Sequence, residues 1–214
     1  MFNLPLSQIL SRRLILLIAL PVHELAHALA ATALGDDTAR RSGRLTLNPL
    51  AHLDPIGAFM LVVAGFGWAK PVPVNMYALE RRDRYAPLLV ALAGPLSNLL
   101  LAILAAIPFR LGLIKYYANT GSWLPNLPEF LAYFIIINLA LMLFNLLPIY
   151  PLDGEKVLTG ALPPNLARPL ENLRPYGSII LLGLIMLGRF TSLDPIGWIM
   201  DFPLRTIFQV LTGS

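Results

Sequence analysis

The chain reads as an all-α polytopic membrane protein, with about five to six transmembrane helices and a short re-entrant or β-hairpin segment after the first. Three observations predict this class. Of 214 residues, 57% are hydrophobic and only 13% are charged, and the mean hydropathy of +0.68 lies outside the soluble range. Apolar runs recur at lengths near the ~20 residues that cross a bilayer as a helix. The basic residues gather in short loops beside those runs, where Lys and Arg set orientation rather than bind nucleic acid.

The first run spans residues 6–34, and Gly35 suits its C-terminal end. Pro21 lies inside it and predicts a kink. A cleaved signal peptide is the plainer reading of Arg12 and Arg13 before an apolar run, but a signal core does not carry His23, Glu24 and His27. Residues 36–43 form a polar loop. Residues 44–47 alternate polar and apolar and predict a short strand. Residues 70–75, "KPVPVN", also alternate, and their prolines confine them to an edge strand or extended chain. Between these, residues 56–69 are apolar but would cover only about 21 Å as a helix, against roughly 30 Å of hydrocarbon. The segment is therefore expected to re-enter on the side it left.

Charge supports that path. Without a crossing, the basic residues from Arg40 to Arg84 and from Lys156 to Arg174 share one face. Arg12, Arg13, Arg110, Lys115 and Arg189 hold the other. A crossing flattens this bias, so the positive-inside tendency favours an external N-terminus and a cytoplasmic end to the first helix. Further spans are expected over residues 86–108 and 130–149, then a final hairpin from 176–187 and 195–211. Gly94, Ser97 and Asn98 suit close helix packing in the second span. "LDPIG" occurs at residues 53–57 and 193–197, and an Asp cap followed by Pro explains both copies as helix starts. One membrane domain over residues 1–214 is expected, with a core at about 6–154 and the hairpin at about 176–211.

The polar residues then need a reason, because ionisable groups at bilayer depth are expensive. His23 and His27 are four apart, so a helix places them on one face. That spacing lets both imidazoles bind one zinc ion, with Glu24 beside the first ligand and able to reach a water. The chain has no cysteine, so any metal must use His, Asp, Glu or water. A hydrogen-bonded cluster without metal is the plainer alternative. A catalytic zinc site commonly takes three protein ligands. His52, Asp54, Asp153 and Glu155 are candidates for the third. Asp153 stands out at the Pro-rich break "PIYPLDGEK", because broken helices at membrane depth usually surround a cavity.

The segments "HELAH", "NPLAHLDPIG", "GWAKPVPVN", "AGPLSNLLLA" and "NLLPIYPLDG" together resemble the site-2 protease family of intramembrane zinc metalloproteases, in that family's order. The resemblance covers most of residues 14–154. It implies one zinc ion per chain on His23, His27 and Asp153, with Glu24 as the catalytic glutamate. Asn145 matches a position implicated in substrate or transition-state contact, and His52 a histidine of the hairpin region with a possible active-site role. A structural hydrogen bond is the alternative for His52. The implied partners are a transmembrane protein substrate and the lipid bilayer. The implied place is a bacterial or archaeal plasma membrane, with the site toward the cytoplasm. The family's extra peptide-binding and nucleotide-sensing modules are not recognised, so a compact form is expected. A membrane transporter and a non-proteolytic zinc-binding scaffold are the rival functions. The transporter is disfavoured because no internal repeat is visible, the scaffold because a structural site has no use for Glu24.

Overall fold

The computed structural model describes residues 6–57, 59, 68–115 and 125–213. Three long helices frame it. Helix α1, Leu6–Ala33, contains Pro21 and is 28 residues long, about 42 Å at the helical rise. It ends as its glycine predicts. Gly35 takes φ +92°, the Gly35 amide donates to Thr32 and the Asp36 amide to Ala31, the paired bonds of a Schellman stop.

Two single-turn helices follow, α2 at Thr38–Arg41 and α3 at Pro49–His52. Helix α4 covers Met76–Arg82, and Asn75 caps it through a 3.0 Å bond from the Ala78 amide. The second long helix, α5, is Ala86–Arg110, and the third, α6, is Leu127–Asn145. Short helices α7 (Asp153–Ala161) and α8 (Pro164–Glu171) lead to α9 (Arg174–Phe190) and α10 (Pro195–Thr212).

Helices α1, α5 and α6 pack against one another, and α10 closes onto α5 and α6. Small residues permit the close approach. Ala102, Ala105 and Ala106 of α5 meet Ile135, Leu139 and Met142 of α6, as helices packing in lipid prefer. Leu14, Ile18, Leu96, Leu100 and Leu104 stay exposed. Apolar side chains on the outside of long apolar helices are what a bilayer solvates.

Of the five to six expected spans, three among the described residues are helices long and apolar enough to cross a bilayer, namely α1, α5 and α6. Counting α8 with α9 across their 62° bend makes four. The expected last hairpin does form two helices that pack together. Helix α9 alone has 17 residues, about 26 Å, and α10 carries Asp201 and Arg205.

The expected strand at 44–47 does not form, and of the two alternatives for 70–75 the edge strand does not form, which leaves chain outside any ladder; among the described residues there is one isolated antiparallel bridge, Leu53 to Ala69. Side chains have taken the ladder's place. The Arg44 guanidinium donates to the carbonyls of Ala51 and Lys70. Thr46 Oγ1 accepts the Asn48 amide at 3.1 Å, and Asn48 Oδ1 accepts the Leu50 amide at 3.1 Å. Pro71 and Pro73 remove alternate donors from the second segment. Most of the expected re-entrant run at 56–69 lies outside the described residues. Its two ends meet, because the bridge is joined by a 2.7 Å bond from the Lys70 amide to the His52 carbonyl. Both "LDPIG" copies start helical turns: Asp54 accepts the Ile56 and Gly57 amides, and Asp194 accepts the Gly197 amide.

Candidate metal centre and active site

His23 and His27 are buried on one face of α1. Their Nε2 atoms lie 3.0 Å apart. Asp153 Oδ2 lies 3.1 Å from His23 Nε2 and 3.2 Å from His27 Nε2. Three potential ligands from positions 126 residues apart in the chain thus meet in one triangle. Asp153 reaches it from the first turn of α7, where the helix dipole favours a carboxylate.

The outer ring nitrogens settle the tautomers. His27 Nδ1 lies 2.7 Å from the Val90 carbonyl, which can only accept. His23 Nδ1 lies 2.7 Å from Asn98 Oδ1. Asn98 Nδ2 donates to Asn138 Oδ1 at 3.0 Å, and Asn138 Nδ2 donates to the Phe134 carbonyl at 2.9 Å. That relay ends on a backbone acceptor, so each step runs in one direction. Both Nδ1 atoms therefore carry hydrogen, and both Nε2 lone pairs face inward. Two lone pairs and a carboxylate at this spacing repel unless a cation or proton lies among them.

The set fits zinc. Tetrahedral coordination at 2.0–2.1 Å places ligand atoms roughly 3.3 Å apart, close to the observed triangle. Gly94 of α5 supports the same conclusion: a Cβ there would collide with His27 Nε2 and the His23 ring. Only a residue without a side chain leaves this cradle open.

The triangle forms part of a cavity of about 130 Å³ also lined by Glu24, Pro71, Val72, Val74, Val90, Ala91, Asn145 and Lys156, among others. Glu24 Oε2 accepts the Val72 amide at 3.0 Å. Asn145 is half-buried and donates Nδ2 to the Leu141 carbonyl at 2.9 Å. A larger, mostly apolar cavity of about 480 Å³ between Phe109, Ala132 and Phe208 is also lined by Lys115 and Tyr133. The group of His and Asp side chains close enough to hold one metal ion lies at the smaller cavity.

Five of the six residues singled out in the sequence meet at that cavity: His23, Glu24, His27, Asn145 and Asp153. His52 does not line it. It is buried at the base of the 53–69 segment, with Nε2 at 2.8 Å from the Thr46 carbonyl. Of the other candidate third ligands, Asp54 caps a helical turn and Glu155 binds Arg174 at 2.8 Å. Asn138 was not picked out by sequence reasoning, and Asn98 was read only as a packing residue. Both are fully buried. Their signal was present as amides inside apolar spans, which need a partner.

Comparison with known proteins agrees with this chemistry. The profile described as Peptidase family M50 matches residues 111–187, a stretch that includes Asn145 and Asp153. A candidate zinc metalloprotease of Bacillus subtilis, YwhC, is 42% identical over 184 residues, covering 85% of this chain and 83% of its own. A candidate zinc metalloprotease of Mycolicibacterium smegmatis, Rip2, is 31% identical over 209 residues, covering 92% and 76%. The Rip2 protein of Mycobacterium tuberculosis is 32% identical over 176 residues, covering 79% and 64%. No solved structure gives a significant match. The chain belongs to peptidase family M50, the site-2 protease family of intramembrane zinc metalloproteases.

Proposed function

We propose that the protein hydrolyses peptide bonds of membrane-anchored proteins within or near the bilayer. The observation that carries this reading is the triangle of two inward Nε2 atoms and one carboxylate oxygen beside Glu24 on the same cavity wall. His23, His27 and Asp153 would hold one zinc ion. When bound, zinc supplies a Lewis acid that polarises a carbonyl and acidifies water.

The remaining work falls to the chain's own groups. Glu24 takes a proton from water and returns it to the leaving amine. Asn145, on the cavity wall, donates a hydrogen bond to the developing oxyanion. His52 holds the base of the 53–69 segment, which its bond to Thr46 supports better than a role in the reaction. Residues 71–74 run along the cavity and dock the substrate as extended chain by strand addition. The substrate helix must unwind there, since its peptide groups are otherwise paired internally.

The charge bias of the loops supports a site toward the cytoplasm. The joined ends of the 53–69 segment support a path that returns to its starting side. Residues 6–154 form the catalytic core of a single membrane domain, and α9 with α10 flanks it. The substrate is a membrane-anchored protein, and the bilayer is the second partner.

The test is metal content and cleavage in parallel. Purified wild type should hold about one zinc per chain, and Asp153→Ala should hold little. Glu24→Gln should keep zinc and lose cleavage of a membrane-anchored reporter. A folded wild type that takes up no zinc would return the site to the transporter reading.

A further inference from the structure

Residues 70–75 contain few main-chain donors. Pro71 and Pro73 have none. The Lys70 amide is bound to the His52 carbonyl at 2.7 Å, and the Asn75 amide to Asp36 Oδ2 at 2.6 Å. Those two bonds anchor the ends of the segment. Between them only Val72 and Val74 carry an N–H, and both residues line the catalytic cavity. The Val72 N–H is taken by Glu24 Oε2.

This creates a conflict between two roles. An extended peptide that pairs with this segment donates its amides to the segment's carbonyls and offers its own carbonyls to the segment's amides, which only Val72 and Val74 supply between the anchored ends. The Val72 amide is the one beside the acid–base group. Glu24, in turn, has its Oε2 tied to the docking segment while it accepts this bond, which fixes the carboxylate there instead of leaving it to turn toward a water. One N–H cannot serve Glu24 and a docked carbonyl at full strength.

We propose that the Val72 N–H is exchanged between these partners: it holds Glu24 in the free protein, passes to a carbonyl of the docked peptide, and so releases the Glu24 carboxylate oxygen for catalysis. The inference rests on the metalloprotease reading and gives it an order of events. Docking precedes activation of the base, so the site is held back until an extended main chain is present. No covalent bond changes in this step. One hydrogen bond breaks at Glu24 and one forms at the peptide. Val72 is thus a docking residue through its backbone, and its side chain has no part in the exchange.

Val72→Pro removes the N–H and also exchanges the valine side chain on the cavity wall for the proline ring. Val72 precedes Pro73 and is already confined to extended backbone, which proline adopts. Two probes separate its roles in the zinc-loaded protein. Acetohydroxamate chelates zinc and donates a hydrogen bond to a free carboxylate beside it, with no peptide main chain. An apolar peptidyl hydroxamate adds an extended main chain along the cavity. In Val72→Pro, acetohydroxamate should bind roughly three- to tenfold tighter, because Glu24 is released. The advantage of the peptidyl over the simple hydroxamate should shrink by a similar factor. Val72→Ala keeps the N–H and trims the cavity wall, so it reads the side-chain contribution, and the tightening of acetohydroxamate should belong to Val72→Pro alone. If Val72→Pro leaves both affinities as in wild type, or weakens acetohydroxamate, the exchange is overturned while the zinc site stands. If neither probe binds the zinc-treated wild type, the metalloprotease reading falls and takes this inference with it.

Hydrogen exchange gives a second readout that needs no metal and no variant at Val72. Its flanking prolines isolate the Val72 amide in mass-spectrometric fragments. That amide should exchange at least tenfold faster in Glu24→Ala than in wild type. Equal rates would show that Glu24 does not hold it, and would sink the proposal even if Val72→Pro failed to fold.

Discussion

Asn98 Oδ1 lies 2.7 Å from His23 Nδ1, and Asn98 is itself held by Asn138 across the α5–α6 interface. The bond sets which nitrogen of His23 faces Asp153. Asn98→Ala should leave that imidazole free to rotate or change tautomer. Outer partners of this kind are worth 10–100-fold in metal affinity. The expected result is a zinc dissociation constant raised by about that factor in a chelator competition titration. Asn98→Asp, which keeps an acceptor oxygen, should lose less. Equal affinity in wild type and Asn98→Ala would show that the relay does not orient the ligand.

Gly94 tests the space rather than the hydrogen bonds. A methyl group at this position collides with both imidazoles. Ala is also the better helix former, by roughly 0.5–1 kcal/mol. Gly94→Ala should therefore fold, keep its helical circular dichroism, and lose most of its zinc. Retention of one zinc per chain would mean that α1 and α5 can separate at little cost.

How far the sequence could be read follows from these residues. His23, Glu24 and His27 were legible because three ionisable groups in an apolar run demand a purpose. Asp153 was legible as a candidate because its prolines break a helix. It stands out over Asp54 and Glu155 on that ground, and the family resemblance then matches it by motif. The chain gives no local sign that Asp153 meets the histidines, because that depends on how α6 and α7 return to α1. The Gly35 stop and the Asp194 cap were local and were predicted. The strand at 44–47 is not realised, because alternation cannot reveal that Arg44, Thr46 and Asn48 would bond the backbone themselves. Asn98 had been read as packing, since a buried amide declares its need for a partner but not the partner's identity.

His52 is expected to act on structure and not on zinc. Its Nε2 bonds the Thr46 carbonyl, and its Nδ1 is buried without a partner among the described residues. Its own carbonyl receives the Lys70 amide at the base of the 53–69 segment. His52→Ala should cost about 1–3 kcal/mol, as for an orphaned buried polar partner. The measurements are thermal midpoint and zinc stoichiometry on the same sample. A lower midpoint with unchanged zinc fits this role. Unchanged stability with lost cleavage of a membrane-anchored reporter would instead return His52 to the catalytic set.

Asp36 links the end of α1 to the docking segment, and the link should respond to acid. Burial raises its carboxyl pKa, but bonds from the Thr38 side chain and the Asn75 and Thr38 amides, with Arg41 nearby, outweigh this and leave it below the usual carboxylate value. A carboxylate with a depressed native pKa contributes stability that is fully present above its unfolded value, about 4. That stability declines as pH falls from there through the native value. Wild type should accordingly lose part of its thermal stability below about pH 4. Hydrogen bonds to an ionised group suggest a contribution on the order of 2 kcal/mol. Asp36→Asn should start lower at pH 7 and show a shallower acid decline. Because Asp36 Oδ2 anchors the Asn75 amide, the same variant should also raise KM for a membrane-anchored reporter more than it lowers kcat. An identical acid profile in both proteins would remove Asp36 as the titrating link, and an unchanged KM would detach it from substrate docking.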